Sequence, residues 1–357
     1  MIRIKEKQLY DIMVILLKGA GLTEEHCRQV ADNLIQADLR GVNTHGVMRL
    51  HLYLNRIHTG AVKARPDIKV LKERKAMALI DGDNGLGQIS GLRAMEMAIE
   101  KAAVCGIGTV SVVNGHHFGA GAYYAWLAGQ KDMIGIALTN TPPLMAPWGG
   151  RKAMVGNNPF AVYVPAGEEN PILLDMALSQ VAQGKVSLAL TKGEKIPKDW
   201  ALDREGVPTD DPQEAMKGVL LSAGGYKGYG QAVVIDMLAG LLGGAGAGIN
   251  VFSMMGYPDK PQNSGQFYMA IDIGAYRDPA EFKKDVDEYI RSIKASPRAK
   301  GAENIFLPGE QSWRRMERNK EQGILLPKGL FDDLIRAGHR FNVDIRSLIP
   351  TEENSCQ

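Results

Sequence analysis

The chain has 357 residues, 45% hydrophobic and 23% charged, with a formal net charge of +2. That length accommodates two ordinary domains, and the near balance of charge excludes a general attraction to nucleic acid or to an anionic membrane. The most apolar run, Gln231 to Gly248, is interrupted by Asp236 and rich in glycine, so it does not read as a bilayer span. Met1 to Lys7 has no apolar signal core, and Cys27, Cys105 and Cys356 form neither a CxxC motif nor a disulfide frame. A protein of the reducing cytoplasm is expected.

In chain order, residues 5–20 and 23–39 carry apolar residues at helical spacing: Leu9, Ile12, Met13, Ile15, Leu16 and Leu17, then Val30, Leu34, Ile35 and Ala37. Thr23 is placed to cap the second helix, and Gly41 to end it. Thr44 is placed to cap a third, running to about Ile57. The polar stretch 61–74 reads as a domain crossing. From 76 onward strands and helices alternate, which predicts α/β layering: strands near 77–81, 109–113 and 134–138, with helices over 88–104 and 119–131. Strands follow at 161–164, 172–175 and 267–272, with a turn-rich loop over 191–212 and a glycine-rich loop at 224–230 opening a helix over 231–242. Asp278-Pro279-Ala280-Glu281 starts a C-terminal helix, with others near 311–321 and 328–340. The division this predicts is a helical domain from both chain ends (1–72 and 275–350), an α/β domain between them (73–274), and a disordered tail (351–357).

The densest chemistry lies in Thr44-His45-Gly46-Val47-Met48-Arg49. If Thr44 caps a helix, the positive helix end keeps His45 neutral and able to take a proton from an alcohol. Arg49, four residues on, would share that face, and its guanidinium suits a carboxylate. The same residues also read as an ordinary cap, a surface histidine and a salt-bridge former, and local pattern alone favours that plainer reading. His116-His117-Phe118-Gly119 follows a strand, where α/β proteins gather ligands. Adjacent histidines point to different faces, so no metal site is expected there. Asp175 ends a strand, as a partner for His45 or a cap for the next helix. The loops at 82–87 and 224–230, the latter around Lys227, suit anions but fit neither GxGxxG nor GxxxxGK[ST].

Taken together in order, these pieces resemble the type-2 malate/L-lactate dehydrogenase family. Its members include ureidoglycolate and sulfolactate dehydrogenases and reductases of diketogulonate and piperideine-2-carboxylate. The matching pieces are Thr44-His45-Gly46-x-x-Arg49, His117-Phe118-Gly119, Thr139-Asn140-Thr141-x-Pro143, Gly149-Gly150 and Gly156-Asn157-Asn158-Pro159. They continue with Asp175-Met176-Ala177, Gly184-Lys185, Ile196-Pro197-x-x-Trp200-Ala201, Gly206-x-Pro208-Thr209, Gly225-x-Lys227-Gly228 and Pro308-Gly309-Glu310.

The resemblance implies an oxidoreductase moving a hydride between NAD, or NADP, and C2 of a small 2-hydroxy/2-oxo acid. It also implies a non-Rossmann α/β cofactor domain and a homodimer. By position it implies His45 as acid/base with Thr44 beside it, Asp175 as its partner or a cofactor contact, and Arg49 as carboxylate anchor. His117 is a second catalytic candidate. Lys227 and Thr141 join the substrate side. His117, Asn140, Thr141, Asn158, Asp175, Met176, Ala177, Lys185, Pro308, Gly309 and Glu310 lie around the cofactor. The chain departs from the family pattern at Thr44 (commonly Ser), Asn157 (often Thr) and Gln266 (His in many members). An NADPH-dependent reductase of a cyclic imino acid, or an inactive ligand-binding homologue, are the alternative readings.

Overall fold

The computed structural model describes residues 1–348; the tail at 351–357 lies outside the described residues. A short strand β1 (Ile2–Ile4) precedes helices α1 (Glu6–Gly19) and α2 (Glu24–Leu39). Their buried faces follow the apolar spacing: Leu9, Ile12, Met13, Leu16 and Leu17 on α1, and Val30, Leu34 and Ile35 on α2. Thr23 caps α2, its hydroxyl accepting from His26 N at 3.2 Å. Gly41, at φ 75°, turns the chain away in a conformation that favours glycine.

The third helix differs from expectation. Two 3₁₀ turns, Asn43–His45 and Val47–Arg49, precede α3 (Leu50–His58), and Thr44 lies inside the first turn rather than capping a helix. The physical reason is Asp38, whose carboxylate takes the Val47 N–H and holds the chain in a tight reversal.

Next come β2 (Lys69–Arg74), β3 (Met77–Asp81), α4 (Gly87–Cys105), β4 (Ile107–Gly115), α5 (Gly121–Gly129) and β5 (Met133–Thr139). Short strands β6 (Pro143–Met145) and β7 (Val155–Gly156) lead to β8 (Phe160–Val164) and β9 (Ile172–Met176). The chain continues through α6 (Gln183–Lys192), β10 (Ala201–Leu202), α7 (Pro212–Lys217), β11 (Val219–Leu220) and α8 (Tyr226–Ile235). Helix α8 starts earlier than expected, so Lys227 sits in its first turn, and it widens into a π turn over Asp236–Leu241. There Asp236 points inward and accepts from Asn140 Nδ2 at 3.0 Å. Last come β12 (Ser264–Asp272), α9 (Pro279–Lys294), α10 (Glu310–Gln322), β13 (Ile324–Leu326) and α11 (Lys328–Arg340).

The main sheet runs β2-β3-β4-β12-β5-β8-β9. Its β3–β4 pair, joined by the α4 crossover, is parallel; its other pairings are antiparallel. The late strand β12 slots between β4 and β5, and its residues 264–268 are buried. Helices α4 and α5 cover one face through Ala94, Ala98, Tyr123 and Tyr124 against Val110, Val112 and Tyr268. The other face packs Leu138 and Phe267 on Ile235 and Ala239. The polar 61–74 stretch ends in edge strand β2, so the expected boundary at 72/73 falls within that strand.

The first and the last described elements meet. Strand β1 pairs antiparallel with β13, and one apolar cluster joins α1, α2 and α3 to Leu334, Ile335 and Ile345. Full burial of a Leu or Ile there is worth about 1.5–3 kcal/mol. Helix α9 instead docks on the β8–β9 connection, where Asp287 accepts from the N–H groups of Gly167, Glu168 and Glu169. No helix among the described residues is long and apolar enough to cross a membrane.

Candidate active site

The α2–α3 connection carries the first half of the site. Asp38, 1% exposed, accepts from Val47 N at 2.7 Å and from Asn43 Nδ2 at 3.3 Å. Between those anchors stand Thr44 and His45. Thr44 Oγ1 lies 3.0 Å from His45 Nδ1. Arg49 Nε donates to the Thr44 carbonyl at 2.7 Å, leaving its two Nη groups without a bond among the described residues. His45 is half-buried, and its pKa is lowered to about 4, first by burial and then by the Arg49 charge. Neutral imidazole is the expected form, but through burial and Arg49 rather than a helix end.

The β4–α5 loop carries the second half. His116 and His117 point apart. His116 is buried against Arg56, with Nδ1 3.5 Å from Arg56 Nη2, and its pKa is lowered to about 3, mainly by burial. His117 stacks on His45, ring centroids 5.5 Å apart and planes 19° from parallel. Its Nδ1 accepts the Gly119 N–H at 3.2 Å and lies 2.7 Å from Tyr53 Oη. A ring nitrogen that accepts a backbone N–H carries no proton, so Tyr53 donates to it and neutral His117 bears its hydrogen on Nε2. The His117 pKa is held well below the ordinary value, by burial first and then by His45 and Arg49. The His117 N–H donates to Gln262 Oε1 at 2.9 Å. Gly119 has φ 77°, and a Cβ there would also collide with the Asn33 side chain, so this position requires glycine.

Asp175, at the end of β9, bonds to neither histidine among the described residues. Its Oδ2 accepts from Ala122 N in the first turn of α5 at 3.0 Å, a helix end that suits an anion. The carboxylate is open to solvent, with Oδ1 free of protein bonds, yet surrounding protein raises its pKa. Buried Arg40 lies near enough to act against that rise, its guanidinium 4.9 Å from the Trp313 ring and 5.9 Å from Trp126. The 308–310 loop is stitched to the same strand: Leu173 N donates to Pro308 O at 3.1 Å, and Gly309 abuts Leu173. The Glu310 side chain is buried and committed to Arg314 at 2.6 Å and Lys294 at 3.2 Å.

Asn140 and Asn158 are buried, with their side chains used inside the fold. Asn140 donates to Asp236 and to Gly246 O and accepts from Gly265 N. Asn158 accepts from Thr141 N and donates to Ala232 O. Thr141 Oγ1 donates to Asn157 Oδ1 at 2.8 Å. These residues shape the loop after β5. Met176 and Ala177 are half-buried beside Asp175, whereas Lys185 and Lys227 are exposed in the first turns of α6 and α8. Neither lysine side chain has a hydrogen bond or ion pair among the described residues.

Sequence reasoning missed Tyr53, Asp38, Gln262 and Arg40. Tyr53 sits at an apolar helical position and reads as core; its signal is a phenol that requires a partner when buried.

The family model for malate/L-lactate dehydrogenase matches residues 4–335. The chain belongs to this family. It is 40% identical to L-sulfolactate dehydrogenase of Methanocaldococcus jannaschii over 97% of this chain and 99% of that one. It is 39% identical to malate dehydrogenase of Pyrococcus horikoshii over 96% of each. The solved structure of sulfolactate dehydrogenase from Methanocaldococcus jannaschii superimposes with a TM-score of 0.92 at 39% identity, covering 97% of this chain and 99% of that chain. The expected class, a nicotinamide-dependent 2-hydroxy-acid dehydrogenase, agrees with that membership.

Proposed function

We propose that the protein oxidises a small 2-hydroxy acid, and reduces the matching 2-oxo acid, with His45 moving the proton and His117 holding the oxygen. The observation that carries this is the stacked histidine pair, whose ring nitrogens have different tasks. His117 is already protonated at Nε2 and serves as a hydrogen-bond donor to the substrate oxygen. His45, with Nδ1–H donated to Thr44, presents Nε2 as the acceptor of the alcohol proton. Arg49 takes the carboxylate on its free Nη groups. Its charge is one cause of the low His45 pKa, so a bound carboxylate relieves that cause and strengthens the base when substrate is present.

The donor set fits a nicotinamide cofactor. Asp175 offers a free carboxylate oxygen suited to a ribose diol, while Lys185 and Lys227 offer free cations suited to phosphate. Bound, the cofactor accepts or returns the hydride at C2. NAD is the proposed cofactor, since a carboxylate beside the ribose repels the extra phosphate of NADP. The relatives named above act on malate and sulfolactate, each a 2-hydroxy acid with a second anionic group, and such a dianion is the proposed substrate class.

We propose further that the chain from β2 to residue 274 forms a cofactor domain without a Rossmann fingerprint, and that segments from both sides of it form a helical domain. The mainly antiparallel sheet supports the first, and the apolar cluster that joins α1, α2 and α3 to Leu334, Ile335 and Ile345 supports the second, with Leu86 and Ile89 of the cofactor domain packed into it. Exposed Val234, Met237 and Leu241, on successive turns of α8 and its π extension, with Leu242 just after it, support a homodimer. Free Cys27 and Cys105 suit a reducing cytoplasm.

The test is purified protein with NADH or NADPH and oxaloacetate, sulfopyruvate, pyruvate or a cyclic imino acid, followed at nicotinamide absorbance. Turnover of the dianionic 2-oxo acids, faster with NADH, is expected. Turnover of the cyclic imine alone, or none at all, contradicts the proposal.

A further inference from the structure

Asp38 is a buried carboxylate without a counter-charge. It is 1% exposed, and no lysine or arginine pairs with it among the described residues. Such a group is costly unless its hydrogen bonds fix something. What it fixes is the turn that carries Thr44 and His45. Oδ2 accepts from Val47 N on one side of that turn, and Oδ1 from Asn43 Nδ2 on the other. Gly46 lies flat against the carboxylate, where a Cβ would collide with it. The backbone of this corner is itself pinned, since Asn319 Nδ2 donates to the carbonyls of Asp38 and Leu39.

We propose that Asp38 is a positioning residue for catalysis: its carboxylate clamps the 43–47 turn and thereby sets His45 against His117. This rests on the reading of His45 as the proton carrier. Asp38 touches neither substrate nor cofactor and acts through the turn alone. Misplacing a reacting group by about 1 Å costs on the order of 10²-fold in rate, so loss of the clamp falls on kcat and leaves cofactor binding unchanged.

The test compares Asp38→Ala, Asp38→Asn and Gly46→Ala. Asp38→Ala is expected to lower kcat by about 10- to 100-fold, with KM for the nicotinamide cofactor changed less than about twofold. Asn keeps an acceptor for Val47 N–H, so Asp38→Asn is expected to restore most of kcat. Gly46→Ala displaces the turn without removing the carboxylate and reports the same defect if Asp38→Ala does not fold. A second readout is independent of turnover. The seven histidines are followed by their ring-proton NMR signals, His45 being assigned by its loss in His45→Gln. The His45 midpoint, low in the wild type, is expected to rise toward the ordinary value of about 6.5 in Asp38→Ala or Gly46→Ala as the ring swings into water. Wild-type kcat with an unmoved His45 midpoint in the folded variants overturns the proposal, as does an Asp38→Asn loss equal to that of Asp38→Ala. If His45→Gln itself keeps wild-type kcat, the acid/base reading fails, and the NMR midpoint still decides whether Asp38 holds the turn.

Discussion

Two histidines 5.5 Å apart carry different hydrogen-bond settings, and the difference comes from single atoms around them. His117 Nδ1 is filled by Gly119 N–H and Tyr53 O–H, which fixes the tautomer and leaves only a donor facing outward. Tyr53→Phe removes one of those donors. A neutral hydrogen bond is worth about 0.5–1.5 kcal/mol net, so kcat should fall roughly 2- to 10-fold with little change in KM for the cofactor; steady-state kinetics check this. His45, with its pKa lowered to about 4, is neutral in the free protein across the physiological range. The value of kcat/KM for oxidation should therefore stay level from about pH 8 to about pH 6, and an acid limb centred near 6.5 contradicts that assignment. At this scale the local run alone leaves Thr44, His45 and Arg49 reading as an ordinary cap, a surface histidine and a salt-bridge former; their order along the chain with His117 and the other family pieces is what makes them legible. Asp38 and Tyr53 stay hidden because each occupies a regular helix position, and only the folded chain shows which atoms face them.

The turn between α2 and α3 is where local pattern and structure part. A Ser or Thr before an apolar run signals a helix cap, and Thr44 fits that signal. The Asp38 carboxylate, six residues upstream, instead takes hydrogen bonds from Asn43 and Val47 and draws the chain into two 3₁₀ turns. Helix α8 shows the same limit. Glycines at 224, 225, 228 and 230 read as a loop, yet the helix begins at Tyr226. The elements that bury histidines also set the pH response of stability. His45, His116 and His117 all have folded pKa values below the unfolded value of 6.5. Each contributes stability that is present above about 6.5 and lost as pH falls toward the folded value. Asp38, raised to about 7, has the opposite sign: its contribution is lost as pH rises from about 4 through 7. His116 lies outside the catalytic pair, so His116→Asn isolates one of these terms. Its Tm should fall less steeply than that of the wild type between about pH 6.5 and pH 4.5, read by thermal denaturation, and an unchanged slope contradicts the linkage.

Across the whole molecule, the site joins two parts of the chain: a turn from the helical start and a loop from the sheet. Strand and helix alternation makes the mixed α/β class legible, because each period is local. The order β2-β3-β4-β12-β5-β8-β9 is not, because β12 enters from far along the chain, and no short-range pattern says where a late strand inserts. The meeting of β1 with β13 is hidden for the same reason. The apolar stripe on α8 sets a prediction at this scale for the proposed homodimer: the wild type should sediment as a dimer and Met237→Glu with Leu241→Glu as a monomer, and a monomeric wild type or a dimeric variant contradicts that interface. Proton transfer by His45 carries the proposed nicotinamide-dependent reaction of a 2-hydroxy acid. Its most direct measurement is single-turnover oxidation of NADH by oxaloacetate or sulfopyruvate in wild type and His45→Gln, with NADH binding followed by fluorescence. A loss of about 10²-fold or more in the hydride-transfer rate with NADH affinity unchanged is expected; hydride transfer at the wild-type rate in His45→Gln would remove His45 as the proton carrier.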